Sequence, residues 1–552
     1  MKSASVDFAE YSKAAVKRFL RTAVLIDDEI QVVNAESSGP TEEVVAPPFS
    51  ATTIAGAGAE SGAHPITSAE PIVSDQEAEP RPSSEVSLKR LADAFLDRQI
   101  VCGVLNPAGS DQVADVIDRA VKSAVVADIL IIDWYLLPGN PDIAKEVLVR
   151  VLKNDQDLNG RLRLIIVYTR ALPLEERRNE LKEFLEERGF SLQLFDERVP
   201  SVVVASCRIC FVEKASGATG KAVDELPEFA ISEFSDQAKG LMPAFALTGI
   251  AALREATHHL LATFSSRLDP AFVGHRMLLQ EPEDSQEFAL NVLMLQIRGI
   301  LSLPHLLGSS LEEDEIGAWF DDRYAAADAV QALKQLNVGK DALRAAIMEG
   351  DPRDRAFHTA LFVPSEPQTP QDREIEVSSD FARLTTFVRE YNGFNPLPAG
   401  WLPVLTLGSV LRLTQEGGTR YFLSLQPLCD TVRIKEARFF PFVELKVKDR
   451  YNSDFWLVVC DGANRLHVGI DGKAGSRHYD KFNPTNESGI IRATAETNSK
   501  AFLFKSVDGN IYEWVGDIDR SKAQKASNDL SAALARVGLD EYEWLRRGGR
   551  AR

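Results

Sequence analysis

Cysteine is scarce in this 552-residue chain: Cys102, Cys207, Cys210, Cys429 and Cys460 are all it has. Five in such a length exclude a disulfide framework. Only Cys207 and Cys210 lie close together, within the apolar run RICFVEK. That run reads as a strand, where positions i and i+3 point to opposite faces. A metal knuckle or redox pair is therefore disfavoured, and buried apolar cysteines are expected. No apolar run of about 18 residues occurs, so no membrane-spanning helix and no membrane partner are expected. The opening residues MKSASVDFAEYSKAAVKRFL lack the apolar segment of a signal peptide, and a cytoplasmic location is expected. Positive charge is also short, with 62 Lys and Arg against 81 Asp and Glu, a formal net charge of −19. This weighs against nucleic acid as a partner, because neutralising phosphates takes clustered Lys and Arg. The segments KVKDR and RRGGRAR leave room only for a weak basic patch.

Apolar residues make up 45% of the chain and charged residues 26%, enough for several packed cores. At roughly 100–200 residues per domain the length predicts two to four domains. Residues 35–86 are dominated by Ala, Glu, Pro, Ser, Thr and Gly, as in ESSGPTEEVVAPPFSATTIAGAGAESG. Such a stretch cannot bury enough apolar surface to offset its chain entropy and reads as a disordered insertion.

Around it, helical and strand patterns alternate. A helix is expected over 6–20 and a strand in TAVLIDDEI. SLKRLADAFLDRQ has helical spacing, and IVCGVL (100–105) looks like a buried strand. DQVADVIDRAVKSA is helical and ADILIID (127–133) a strand. DIAKEVLVRVLK puts Ile143, Val147, Val151 and Leu152 on one helical face. LRLIIVYT (162–169) is a strand, and LEERRNELKEFLEERG a helix with Leu174, Leu181, Phe184 and Leu185 inward and Gly189 as its stop. FSLQLF and RICFVEK supply further strands. Continuous apolar strands alternating with helices predict an α/β fold, a doubly wound parallel sheet covered on both faces.

The pattern then changes. The expected organisation is an N-terminal α/β domain over 1–225, a mainly helical region over 226–362, and a Pro-rich linker at 363–376. A β-rich domain over 377–525 and a C-terminal helix and tail over 526–552 follow.

In an open parallel sheet, ligands bind beyond the carboxyl ends of the strands. Asp27 and Asp28 end the first strand, Asp133 the third, Thr169 the fourth and Lys214 the last. Phosphoryl transfer to a carboxylate needs such a set. A hard divalent cation such as Mg²⁺ prefers carboxylate, carbonyl and water oxygens, which Asp27, Asp28, Asp133 and the backbone carbonyl of Tyr135 can supply. Thr169 and Lys214 can each engage a phosphoryl oxygen.

The segments VLIDDEI, ILIIDWYLLPG, IIVYTRA and CFVEKA together resemble the receiver family of two-component signalling, over residues 20–218. The resemblance implies a flavodoxin-like fold and a phosphoacceptor at Asp133. It also implies Mg²⁺ at Asp27, Asp28, Asp133 and the Tyr135 carbonyl, with Thr169 and Lys214 sensing the phosphoryl group and a histidine kinase as donor. Several features depart from the usual pattern. Pro138 comes one residue late, Arg170 and Ala215 stand where a small residue and a proline are common, and the interval from Thr169 to Lys214 leaves room for an extra strand. These departures are similar to the response receivers of bacterial conflict systems, such as Detocs-type anti-phage defence. That likeness implies a stand-alone receiver beside a kinase and a separate defence effector, with no enzyme activity beyond its own phosphorylation and dephosphorylation. The residues also leave open that 226–552 form an effector or partner-binding output module.

Other groups carry weaker signals. His258 and His259 cannot both face one metal from a helix; a phosphotransfer histidine stays open, but a capping or surface pair is the expectation. Cys429 beside Asp430 has Arg433 and Lys435 nearby, but the signal is thin and a structural cysteine is the expectation.

Overall fold

The computed structural model describes residues 7–28 and 88–535, except 109, 138–139, 159, 196–197, 216–218, 280–281, 283–284, 304–310, 351–354, 366, 392, 394–396, 398–399, 449–455, 462–463, 471–476, 486–488 and 497–500. The insertion expected at 35–86, Pro138 and the tail beyond 535 lie outside the described residues.

The N-terminal part runs α1 (Phe8–Phe19), β1 (Thr22–Ile26), α2 (Leu88–Leu96), β2 (Val101–Leu105), α3 (Val113–Val126), β3 (Ile129–Ile132), α4 (Asp142–Asp157), β4 (Arg163–Thr169), α5 (Leu174–Glu186), β5 (Gln193–Phe195), β6 (Ser201–Val204) and β7 (Cys207–Glu213). The sheet order is β2-β1-β3-β4-β7-β6-β5. The first five strands are parallel, while β6 and β5 join antiparallel at the far edge. The long interval before Lys214 thus holds a hairpin. The strand SVVV at 201–204, absent from the sequence reading, is half of it.

Alternation along the strands divides two cores, since successive side chains leave opposite faces of a strand. Ile165 and Val167 of β4 pack with Val116, Val147 and Leu181 under α3, α4 and α5. Leu164, Ile166 and Tyr168 pack with Val16, Leu91 and Phe95 under α1 and α2. Cys207 enters the first core and Cys210 the second, as their spacing predicts. Burial pushes the Cys210 thiol up to about 12.

The expectation that IVCGVL is buried is corrected. β2 is the outermost strand, and Val101 and Val104 are 64% and 41% exposed. Its apolar character does not reveal whether a further strand pairs beyond it.

The middle region is helical: α6 (Leu226–Gln237), α7 (Leu241–Glu255), α8 (Thr257–Thr263), α9 (Asp269–Leu278), α10 (Ser285–Leu301), α11 (Glu313–Arg323), α12 (Ala327–Gln335), α13 (Lys340–Glu349) and α14 (Arg355–Ala360). Leu226, Ile231 and Phe234 of α6 complete the second core of the parallel sheet. Phe320, Tyr324, Leu333 and Leu343 build a small core of their own.

The expected linker at 363–376 is corrected in its second half, because α15 spans Pro370–Thr386. Thr369 caps it by accepting the Asp372 amide, and Pro370 occupies the first turn, where the missing N–H is no loss. The composition of a linker is here that of a helix start.

The C-terminal part is a ten-stranded antiparallel sheet of β8 (Phe387–Glu390), β9 (Ser409–Gln415), β10 (Gly418–Ser424), β11 (Arg438–Val447), β12 (Leu457–Asp461), β13 (Asn464–Ile470), β14 (Arg477–Phe482), β15 (Thr494–Ala495), β16 (Phe502–Lys505) and β17 (Ile511–Ile518), closed by α16 (Arg520–Ala535). One face packs Ala523, Ala526 and Leu530 of α16 against Val410, Leu423 and Val443. The other is aromatic, with Phe422, Phe442, Phe482, Tyr512 and Trp514.

Candidate functional site

β2 lies on one side of β1 and β3 on the other. The chain therefore reverses its winding between β1 and β3, and a crevice opens beyond their carboxyl ends. Asp27 follows β1 there and Asp133 follows β3. Their amides are pinned to the sheet, Asp27 N–H donating to Leu105 O at 3.1 Å and Asp133 N–H to Ile26 O at 2.9 Å. Asp27 is fully buried, Asp133 is 5% exposed and Asp28 is half-buried.

These three carboxylates can each offer an oxygen such that all lie within 4.8 Å of one another. Three hard oxygen donors in one place suit Mg²⁺ in kind. Tyr135 follows on the same loop, half-buried, its amide donating to Asp133 Oδ1 at 3.4 Å.

Lys214 comes from the end of β7, and its amide donates to Thr169 O at 2.9 Å. Its side chain is 2% exposed. Nζ stands 2.8 Å from Asp27 Oδ2 and also pairs with Asp133 Oδ2. Burial pulls the ammonium's pKa down, but the adjacent Asp27 and Asp133 carboxylates outweigh it and hold the group above its ordinary value. Lys214 is thus a fixed cation between two carboxylates. Thr169 is buried beside it, its hydroxyl accepting the Ala171 amide at 3.1 Å. The side chains of Asp27, Asp28, Asp133 and Lys214 meet in one crevice, and Thr169 is joined to Lys214 through its backbone carbonyl.

Three further residues shape the site and escaped the sequence reading. Tyr168 lies under the Lys214 ammonium, 5.9 Å from ring centroid to Nζ, and its hydroxyl donates to Lys221 O at 2.8 Å. Burial pushes this phenol up to about 12. The loop after Lys214 folds back so that the Ala215 amide reaches Lys221 O at 3.0 Å. Gly220 makes that return with φ +79°, and a Cβ there would lie 2.6 Å from Lys214 O. Ser216-Gly217 and Gly220 are the sequence signals that mark this turn.

The β-rich half holds a second polar cluster. Tyr512 OH donates to Asp480 Oδ2 at 2.8 Å, as does Asn510 Nδ2 at 2.8 Å, and His478 Nε2 is 2.7 Å from Tyr512 OH. His258 and His259 lie on α8, apart from these groups, and Cys429 is exposed on the loop before β11.

Residues 19–218 match the family model described as the response receiver domain. Comparison with curated proteins and with solved structures returned no match. The match supports a divergent receiver domain in this stretch, and with it a two-component signalling receiver. Among the described residues, no helix is long and apolar enough to cross a membrane.

Proposed function

We propose that the N-terminal part of the chain accepts a phosphoryl group on Asp133 from the phosphohistidine of a histidine kinase. The observation that carries this reading is the Lys214 ammonium held against both Asp27 and Asp133 at the switch point of the parallel sheet. A structural ion pair needs one carboxylate. Two carboxylates around one lysine, with Asp28 beside them, leave negative charge for a metal to share.

In the proposed reaction an Asp133 carboxylate oxygen attacks phosphorus. The bond from phosphorus to the kinase imidazole nitrogen breaks, the electron pair stays on that nitrogen, and an aspartyl phosphate forms. Water later attacks phosphorus, releasing inorganic phosphate and restoring the carboxylate. Asp27, Asp28, Asp133 and the Tyr135 carbonyl hold Mg²⁺, which supplies positive charge to the phosphoryl oxygens. Lys214 passes from carboxylate to phosphoryl oxygen as a charge-assisted donor. Thr169 turns its hydroxyl from Ala171 to another phosphoryl oxygen, and Tyr168 and the Lys221 loop follow from their contacts with Thr169 and Lys214.

The biological role we propose is that of a phosphate buffer or regulator beside a kinase and a separate effector in bacterial anti-phage defence. A second acceptor competes with the effector's own receiver for one phosphorylated kinase. The test adds this protein to a phosphorylated histidine kinase and a labelled competing receiver. Wild type is expected to lower the competitor's label in proportion to its concentration, and Asp133→Ala is expected to leave it unchanged. Equal quieting by both chains would reject phosphate capture.

A further inference from the structure

Helices in water are held by burying an apolar face, and short ones without such a face are marginal. Helices α8 and α9 bury no residue at all, and α10 buries only Ser285 and Ile300. Their sequences are nonetheless rich in large apolar groups. Leu278 is 85% exposed, Met277 80%, Leu261 and Leu295 64%, Leu290 53% and Met294 52%.

Beside α9 and α10 lies a groove of about 480 Å³, lined by Phe264, Leu268, Phe272, His275 and Phe288. His275 stacks on Phe288 with centroids 4.1 Å apart. Leu278 ends α9 three residues beyond His275, on the lining side of the helix.

We propose that this helical hairpin is a homodimer interface, covered by the same hairpin of a second copy. Area supports it: a stable interface takes about 800 Å² from each partner, and Leu268, Phe272, Leu278, Phe288 and Leu295, spaced along the groove side of the hairpin, are each at least 37% exposed. Charge supports it as well. The chain carries −19, yet residues 257–301 hold five acidic and three basic groups, so two acidic copies meet here with little repulsion. A strongly charged partner finds little complement on this surface. Apolar interfaces depleted of charge are characteristic of homodimers. Shape completes the case. A projection and a groove on one surface are both used in a two-fold contact, Leu278 of each copy entering the groove of the other. The inference stands apart from phosphoryl acceptance and does not rest on it.

The test is sedimentation of the full chain across nanomolar to micromolar concentration. Wild type is expected to sediment as a dimer, twice 60.8 kDa. Leu278→Glu and Phe272→Glu are expected to weaken dimerisation by about 100-fold or more, as loss of an anchoring side chain does, while far-UV circular dichroism stays unchanged. A second measurement does not depend on these variants folding. In a Cys429→Ser background, a Leu278→Cys chain mixed with an Ala289→Cys chain is expected to form an intermolecular disulfide on mild oxidation. Monomeric wild type throughout, or a dimer that survives both glutamate variants and gives no cross-link, would overturn the proposal.

Discussion

Lys214 Nζ lies 2.8 Å from Asp27 Oδ2 although their strands, β7 and β1, are separated in the sheet by β3 and β4. The long lysine side chain crosses both strand ends and contacts Asp133 on the way. One buried cation therefore ties the two carboxylates together, and its removal leaves them facing each other. Lys214→Met is expected to destabilise the N-terminal domain by about 3 kcal/mol, the usual consequence of stripping one partner from a buried pair. Millimolar Mg²⁺ is expected to restore part of the loss. Urea unfolding with and without Mg²⁺ measures both, and a Lys214→Met chain as stable as wild type in chelator would contradict the pairing.

Metal affinity is expected to depend on Asp28, the more open of the three carboxylates. Trp134 is a convenient reporter. Its fully buried ring is the neighbour of Asp133 and packs 6.0 Å from the Phe211 ring. Asp28→Ala is expected to weaken Mg²⁺ by about tenfold or more, at least the effect of losing a residue that only orients a ligand. An unchanged fluorescence titration would place the metal elsewhere.

The strand-end site was largely legible in the sequence. Each carboxylate follows an unbroken apolar run, and such runs occur where a parallel sheet is covered on both faces. Lys214 was found despite the alanine after it because it closes the apolar run CFVEK; in the sheet Thr169 pairs with Glu213, the residue before it. What escaped was non-local or ambiguous in composition. The exposure of β2 depends on what pairs beyond it. Helix α15 hid because Thr369 and Pro370 suit a helix start as well as a linker. The cluster of His478, Asp480 and Tyr512 joins two strands, with Tyr512 reaching Asp480 from 32 residues away.

That cluster is expected to make the β-rich half acid-sensitive. Burial holds the His478 imidazole below its ordinary value. Burial also pushes Asp480 up, but hydrogen bonds from Asn510, Tyr512, the Lys481 amide and Ser506 outweigh it and hold the carboxyl below its ordinary value. Both groups bind fewer protons folded than unfolded, so stability falls as pH falls. The loss begins below about pH 6.5, where unfolded histidine protonates, and deepens below about pH 4 as unfolded aspartate does. Thermal melts at pH 7.5, 5.5 and 4 are expected to fall in that order, with a smaller first step in His478→Gln. A rise from pH 7.5 to 5.5 attributable to His478 would contradict the sign.

Thiol accessibility tests the sheet's two-faced packing. Cys207 and Cys210 are buried in opposite cores, and burial pushes both thiols up. Under native conditions a thiol-reactive dye is expected to label exposed Cys429 and to reach Cys207 and Cys210 only after unfolding. Native labelling or a disulfide at 207 and 210 would show that the strand is misplaced.

The central claim concerns one oxygen of one side chain. The most direct measurement phosphorylates the full chain with its kinase, or with acetyl phosphate and Mg²⁺, and traps the acyl phosphate with borohydride. Reduction converts a phosphorylated aspartate to homoserine, which peptide mass spectrometry locates. The account predicts homoserine at position 133 alone, dependent on Mg²⁺ and absent from Asp133→Asn. Homoserine at Asp27 or Asp28 in the wild type, or trapping undiminished in Asp133→Asn, would contradict it.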